Sequence, residues 1–560
     1  MQLTNQGKQN AFLNFNPTMS FFKKAYRKYT DFAMQKFIIT HDGSPDLQLS
    51  EPSVFKFKIK RYGDLLMDAY LMVDLPHIWS PIMPTQNPDN SPNVEGSPDW
   101  VPYEFKWIEN IGAKMIHSIK YNCGNATLQE YSGDYLLASV QRDYSLDKKQ
   151  LFDEMTGNVP ELNDPANCNS RINVYPNAYY YDENTDPEPS IHGRTLYIPL
   201  NGWFGLDASM AFPLVSCQYV ELEIVITFRP INELFIIRDV FDVDNNYPYV
   251  APNFNTWYMQ FFRFLQKPPD LSLAIPSYVD TRTTWNTNIQ LMCTYAFLSN
   301  DERYEFATKP QKYLIKQVRK HIQYNMTGTK AYELHSNGLV SNWLYYFQRS
   351  DVNLRNEWSN YTNWAYKYIP INVVQAPVNG NYVIYRTNAS GQLVQDQIGA
   401  GVNPNGVPTG LLITNPYTVL NEKEIMVSMS ILLDGEYRES MLPSGVFNYI
   451  EKYTRTSGNA PFGLYCYNFC INSNNKDLQP SGAINMTMFN KIVLQFVTIH
   501  PPSNPFAQSL VICNPNTKSI IGNNKQTWNV YEYNYNLYLF EEIINVITFE
   551  SGLVGAEFAI

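Results

Sequence analysis

Charge is scarce in this 560-residue chain: only 17% of its residues are Asp, Glu, Lys or Arg. The 42 basic and 52 acidic residues leave a net charge of −10. That excludes a broad basic face for wrapping nucleic acid, and no direct nucleic-acid partner is expected. Cysteine is also scarce. The seven, at 123, 168, 217, 293, 466, 470 and 513, are odd in number and thinly spread. A secreted disulfide scaffold would be denser and usually even. We read all seven as reduced, mostly buried thiols, and expect folding in the cytosol. Long apolar runs are missing. None approaches the ~18 residues of a membrane span, and Glu541, Glu542, Glu550 and Glu557 break up the apolar C-terminus. No Lys/Arg-led apolar opening marks a signal peptide. The seven His are scattered, with no two at the i, i+3 or i+4 spacing of a helical metal site. Phosphate-cradling glycine motifs and the GxSxG nucleophile elbow are absent. No catalytic residue, metal or cofactor is expected.

Aromatic residues are abundant at 15%, with 41 Tyr against 10 Trp. Such a balance favours β structure. Chain length sets two domains, or three. In Phe55-Lys56-Phe57-Lys58-Ile59-Lys60, apolar and basic residues alternate, which predicts a half-buried strand with Phe55, Phe57 and Ile59 inward. Arg61-Tyr62-Gly63-Asp64 reads as a turn in which Gly63 takes φ > 0. A strand over 65–75 follows. Seven Pro between 76 and 102 exclude a regular element there. Pattern resumes at Trp107–Ile116, and 143–193 reads as a long polar loop. Val220, Leu222, Ile224, Ile226 and Phe228 face one way along a strand, with Glu221 and Glu223 facing the other. This closes a first unit near residue 230. Residues 231–285 read as a connector, and a second strand set follows. Residues 350–424 form a second long Asn/Gly/Pro-rich region, in which Tyr382–Tyr385 suits one arm of a hairpin. The step from Tyr197 to the 220–228 strand parallels that from Leu464 to the 491–499 strand, at separations of 23 and 27 residues. Alone, this is a weak sign of duplication.

One stretch combines aromatic and basic side chains: Asn16 to Met34. As a helix it would place Phe22, Tyr26, Tyr29 and Ala33 on one face. Lys23, Lys24, Arg27 and Lys28 would lie beside them. An amphipathic lead-in packed on its own domain and a segment docking on a neighbour or an anionic layer both fit. The residues before it are polar and read as a mobile tip.

The stretch also resembles the N-terminal signature of the major capsid proteins of nucleocytoplasmic large DNA viruses. The shared elements are Asn16-Pro17, Phe21-Phe22-Lys23, Tyr26-Arg27 and Phe32-Ala33. Further matches follow in order. They include the Arg61-Tyr62-Gly63-Asp64-Leu65 turn, Leu75-Pro76, Trp107 with Ile111-Gly112 and Met115-Ile116, and Ile198-Pro199-Leu200 with Trp203-Phe204. Asp301-Glu302-Arg303, Phe306-Ala307 and Tyr313-Leu314-Ile315-Lys316-Gln317 form the most specific group. Asp301 and Glu302 read as solvated turn residues rather than an acid/base pair. Leu433-Asp434-Gly435 with Arg438, Tyr465/Tyr467/Phe469, Pro480-Ser481-Gly482 with Asn485, and Asn534-Tyr535-Asn536 complete the series. Asp434 stands where the family has Asn.

The resemblance implies an all-β double jelly roll, two tandem eight-stranded jelly rolls with long loop insertions. The expected division is 1–34 as an inner-face arm, 35–230 as the first roll, 231–285 as connector and 286–560 as the second roll. It implies a structural major capsid protein. Three copies would form a pseudo-hexagonal capsomer that tiles an icosahedral virus shell. The implied partners are a homotrimer, neighbouring capsomers, minor capsid proteins and an internal viral membrane. The arm, through Lys23, Lys24, Arg27 and Lys28, would face inward. The implied location is the virion, after synthesis in the host cytoplasm. A minor capsid protein or assembly scaffold is the alternative reading. A β-sandwich carbohydrate-active enzyme is a third, for which no carboxylate pair is selected.

Overall fold

The computed structural model describes residues 8–24, 26–84, 100–180, 185–242, 245, 247–269, 273, 275–367, 381–387, 390, 392–399, 419–477, 479–504, 507, 510–524 and 530–558. Alternating patterns become strands. In Ser53–Lys58, Phe55 and Phe57 are buried while Lys56 and Lys58 face solvent, and Ile59 continues the buried row. In Leu222–Phe228, Leu222, Ile224, Ile226 and Phe228 all point into the core.

Sixteen strands build two copies of one topology. In the first they are β1 (Phe32–Thr40), β2 (Ser53–Lys58), β3 (Leu65–Leu75), β4 (Ile116–Cys123), β5 (Ala126–Tyr131), β6 (Arg194–Pro199), β7 (Leu222–Phe228) and β8 (Gln290–Leu298). In the second they are β9 (Gln311–Gln323), β10 (Thr329–Glu333), β11 (Leu339–Arg349), β12 (Met426–Leu433), β13 (Glu436–Pro443), β14 (Leu464–Asn468), β15 (Ile492–Thr498) and β16 (Tyr535–Glu550). The first set makes sheets β1-β8-β3-β6 and β2-β7-β4-β5. The second makes β9-β16-β11-β14 and β10-β15-β12-β13, the same order position for position. Every pairing is antiparallel. Even a minor contact recurs: Phe212–Pro213 pairs with β3, and Ile484–Asn485 pairs with β11. Two sheets facing each other with this crossing order are a jelly roll. The Tyr197 and Leu464 parallel in the sequence thus marks β6 and β14, each followed by its short pair and then by β7 or β15.

Strand pairing draws the division of the chain differently: β1 begins at Phe32, inside the expected arm, and the first roll runs past the expected connector. Gln290–Leu298 lies beyond the expected boundary at 286, yet it sits in the first roll between β1 and β3. The physical reason is sheet completion. Without β8, β1 and β3 would face each other across a missing strand with unpaired backbone groups. The segment 231–285 therefore forms a loop of the first roll, with Phe235–Arg238 pairing Phe105–Trp107. The link between the rolls is a short helix, Asn300–Thr308.

Four further elements depart from the sequence reading. Lys8–Asn14 is a short helix, α1, in the polar tip. The expected strand over Trp107–Ile116 is broken by a buried helical turn, Ile111–Lys114. There a side chain at Gly112 would come within 2.6 Å of the Thr156 carbonyl oxygen. The polar loop 143–193 contains α3 (Leu146–Thr156), which follows α2 (Gly133–Asp143) and ends at Gly157 with φ 78°. Finally, Gly63 has no positive φ. It is glycine because a Cβ would meet Ala296 O and Tyr295 Cβ, both at 3.0 Å. By contrast Asp434 (φ 49°) and Gly435 (φ 90°) make the left-handed turn that joins β12 to β13. Asn381–Thr387 and Leu393–Gly399 form the expected hairpin. The turn-rich run 400–406 and residues 378–380 lie outside the described residues.

Strand registers also fix where the chain leaves each roll. Phe32 at the start of β1 pairs with Leu298 at the end of β8, beside the 61–64 turn. The long segments after β3 and after β11 leave from the other end, where Leu75 pairs with Arg194 and Arg349 pairs with Tyr535. The N-terminal arm and the 350–424 insertion thus emerge at opposite ends.

Candidate assembly surfaces and the joint between the rolls

α4 (Asn300–Thr308) starts two residues after β8 and carries Asp301 and Glu302 in its first turn, as a helix N-terminus favours. Its Arg303 reaches back to Asp64 of the 61–64 turn, Nε to Oδ1 at 2.9 Å. The other Asp64 oxygen accepts the Leu298 N–H at 2.8 Å. Two separate sequence motifs therefore form one contact at the exit from the first roll.

The rolls meet over a fused core. One cluster of buried side chains takes in Phe212 and Tyr135 from the first roll and Phe540, Phe549 and Leu344 from the second. Phe212 and Phe549 stack edge-on at 5.0 Å. Edges are joined by side-chain amides: Gln129 Nε2 donates to Lys316 O at 2.9 Å, and Gln317 Nε2 to Leu128 O at 2.7 Å. These cap strand edges that would otherwise present free carbonyls.

Charges are buried inside this joint. α2 forms because Ser132 caps it, its hydroxyl accepting the Tyr135 N–H. It delivers Arg142, wholly buried, to Glu542, also wholly buried, at 2.9 Å. Arg142 is bidentate to Asp143 and donates to Asn342 Oδ1 at 2.9 Å. Tyr135 Oη donates to Glu542 at 2.8 Å, and Asn342 Nδ2 donates to its other oxygen at 2.7 Å. Burial alone would raise the Glu542 pKa; the Arg142 and Lys316 charges and these hydrogen bonds outweigh it and hold the carboxyl below its ordinary range. Asp134 behaves alike. Burial opposes its charge, and Lys114, Arg229 and Lys320 drive its pKa well down. Satisfied in this way, the charges fix how the rolls sit, since removing one partner would strand another. None of this was read from the sequence; Glu541-Glu542 within an apolar strand was the available signal.

Glu541 points into the second roll instead, where Trp343 Nε1 donates to it at 3.1 Å. At the long-loop end, Glu357 is half-buried near Glu109, whose carboxylate pairs with Lys367 at 2.5 Å. Burial, then the Glu109 charge, push Glu357 up to about 7. Among the described residues no group of three or more His, Cys, Asp or Glu could hold a metal ion.

The sequence-predicted residues Lys23, Lys24, Arg27 and Lys28 are all exposed. They are not on a helix: the described residues of 16–31 have no regular structure. α1 ends at Asn14, Asn16 turns the chain with φ 53°, and the chain then runs to β1. Phe21, Phe22, Tyr26 and Tyr29 are nearly fully exposed beside them, with Tyr29 meeting Phe32 of β1 edge-on at 6.4 Å.

Residues 20–266 match the family described as the major capsid protein N-terminus, and residues 302–555 match that of the large eukaryotic DNA virus major capsid protein. The chain belongs to this major capsid protein family. Neither matched segment includes β8, the strand that completes the first roll. The chain is 27% identical over 336 residues to the major capsid protein of Chrysochromulina ericina virus, covering 57% of this chain and 52% of that protein. It thus spans about half the length of that relative. With the major capsid protein of Phaeocystis pouchetii virus it shares 25% identity over 543 residues, 89% of this chain and 92% of the other. The Faustovirus major capsid protein superposes with a TM-score of 0.58 over 97% of this chain and 94% of its own, at 12% identity. The shared double jelly roll is the family's fold, and the family's role is structural.

Proposed function

We propose that three copies of this chain form a pseudo-hexagonal capsomer and that these capsomers tile an icosahedral virus shell. The observation that carries this is the repetition of one jelly roll, strand for strand, within a single rigidly joined chain. Three such chains supply six similar rolls, and threefold closure leaves no flank unpaired. The first roll, 32–298, and the second, 311–550, act as units linked by α4. The role is mechanical, with no catalytic step assigned.

The N-terminal arm faces the inside of the shell. Its exposed aromatics suit an apolar partner, and Lys23, Lys24, Arg27 and Lys28 suit an acidic one. Minor capsid proteins and an internal membrane are the partners of that chemistry. The 350–424 insertion, leaving from the opposite end, faces outward. Synthesis is in the host cytoplasm and the final location is the virion. Electron microscopy of purified protein tests the reading: ring-shaped trimers with six lobes support it, and monomers at micromolar concentration overturn it.

A further inference from the structure

Within one chain, the first roll covers the second in a specific way. Helix α2 follows β5, and its Tyr135 packs on Phe540 with ring centroids 5.7 Å apart. Phe540 is the middle of a cross-strand row, Lys320–Phe540–Leu344, on the outward face of β9, β16 and β11. Phe540 and Leu344 are fully buried by this cover.

The topological equivalents of both halves are present again, and both are at least partly open: Ile38 is exposed and Met292 and Tyr70 are half-buried. In the first roll the outward row on β1, β8 and β3 is Ile38–Met292–Tyr70. Their neighbours Ile39, Leu291, Cys293, Ala69 and Leu71 point inward and are buried. Ile38 is 56% exposed, and β1 around it is an edge strand with seven of its nine residues exposed, an open apolar-bearing edge of the first roll. One row along, Thr294 lies opposite Asp68. Thr294 Oγ1 and Asp68 Oδ1 are buried with no hydrogen-bond partner among the described residues. In the second roll, the segment after β13 is also helical, a π turn Val446–Ile450 running into α5 (Glu451–Arg455). Phe447 anchors it to its own roll, while Tyr449, Ile450 and Tyr453 project, Tyr453 at 91% exposure.

We propose that Tyr449, Ile450 and Tyr453 of one copy dock on the outward face of β1, β8 and β3 of a second copy, covering Ile38, Met292 and Tyr70. The docking repeats between chains what α2 does within one. The internal contact also marks the place: Asn342 and Glu542, which Arg142 and Tyr135 engage, lie one row from Leu344 and Phe540, as Asp68 and Thr294 lie one row from Tyr70 and Met292. Giver and receiver are different surfaces of the same chain, so the contact is head-to-tail, and it closes only as a ring. This rests on the trimer reading above and assigns its interface.

The test is native mass by light scattering. Wild type is expected at trimer mass, and Ile38→Asp and Tyr453→Asp are each expected as monomers with unchanged circular dichroism. Mixing the two variants leaves one intact helix facing one intact sheet, so a heterodimer, not a trimer, is expected. Milder changes guard against misfolding. Ile38→Cys and Tyr453→Cys together should give an interchain disulfide under oxidised glutathione, and either alone should not exceed the wild-type background from exposed Cys513. Trimeric Asp variants, or cysteine pairs that never cross-link in a trimeric protein, overturn the docking and leave the trimer reading standing. A monomeric wild type overturns both.

Discussion

Arg303 Nε lies 2.9 Å from Asp64 Oδ1, tying the start of the inter-roll helix to a turn more than two hundred residues earlier. The guanidinium is partly solvated, so the ion pair itself contributes modestly, under about 1 kcal/mol. The Asp64 carboxylate does more, because it also accepts the Leu298 N–H.

Arg303→Ala is therefore expected to cost less than Asp64→Ala. The second change strands a partly buried amide and should cost about 1–3 kcal/mol. Chemical denaturation of both single variants and the double variant would measure this. Strict additivity in the double would show that the two residues are not coupled, and equal single losses would show that the bond to the Leu298 N–H adds nothing.

The buried joint predicts acid sensitivity. Glu542 and Asp134 have pKa values lowered in the folded chain. A depressed carboxylate stabilises fully above its unfolded pKa, near about 4. That stability drains away as pH falls toward the folded value. Melting temperature should thus drop steeply below about pH 4, and Glu542→Gln should flatten the drop while lowering stability at pH 7. Arg142→Ala leaves two buried carboxylates short of a partner and is expected to cost about 3–5 kcal/mol.

Glu357 carries the opposite sign. Its folded pKa is raised to about 7 by burial and then by Glu109. The folded chain keeps a proton that the unfolded chain releases, so stability falls as pH rises from about 4.3 through 7. Glu357→Gln should raise the melting temperature at pH 8 and do little at pH 5. A gain of the same size at both values would remove ionisation as its cause.

Reversing Lys23, Lys24, Arg27 and Lys28 to Glu should leave the oligomer intact and reduce shell assembly. These side chains are exposed and touch no core cluster. Native mass and particle yield read the two effects separately. Loss of the oligomer itself would mean the arm helps hold the subunits together.

An epitope tag inserted between Asn403 and Gly406 should bind antibody on intact particles. The insertion that carries it departs from the end opposite the arm. Binding only after particle disruption would turn the proposed orientation around.

Much of the fold was legible because β2, β7 and β15 each bury every second residue, a pattern that burial on one face imposes. The boundary was not legible. β8 reads like any apolar strand, and only its pairing with β1 and β3 shows which roll owns it. α3 was missed although Ser145 and Gly157 bracket it, because its exposed face is as polar as a loop. The assembly surfaces were half legible. The arm's composition pointed to contact, but its helical reading failed: the described residues of 16–31 stay irregular, and Ala33 of the would-be face is already in β1, paired with Phe297. The Arg142–Glu542 joint needed the tertiary structure, since 400 residues separate its partners.

Asp64, Arg142 and the fused core together make one roll-to-roll contact permanent. A contact held within one chain has an effective concentration that dilution cannot lower. A ring built from such pairs needs half as many separate bodies to meet as one built from single rolls. Its yield should therefore fall off less steeply when protein is scarce, early in synthesis. The duplication also frees the two halves to diverge: with each roll always beside its own mate, loops on one need never be compatible with a copy of themselves across that seam.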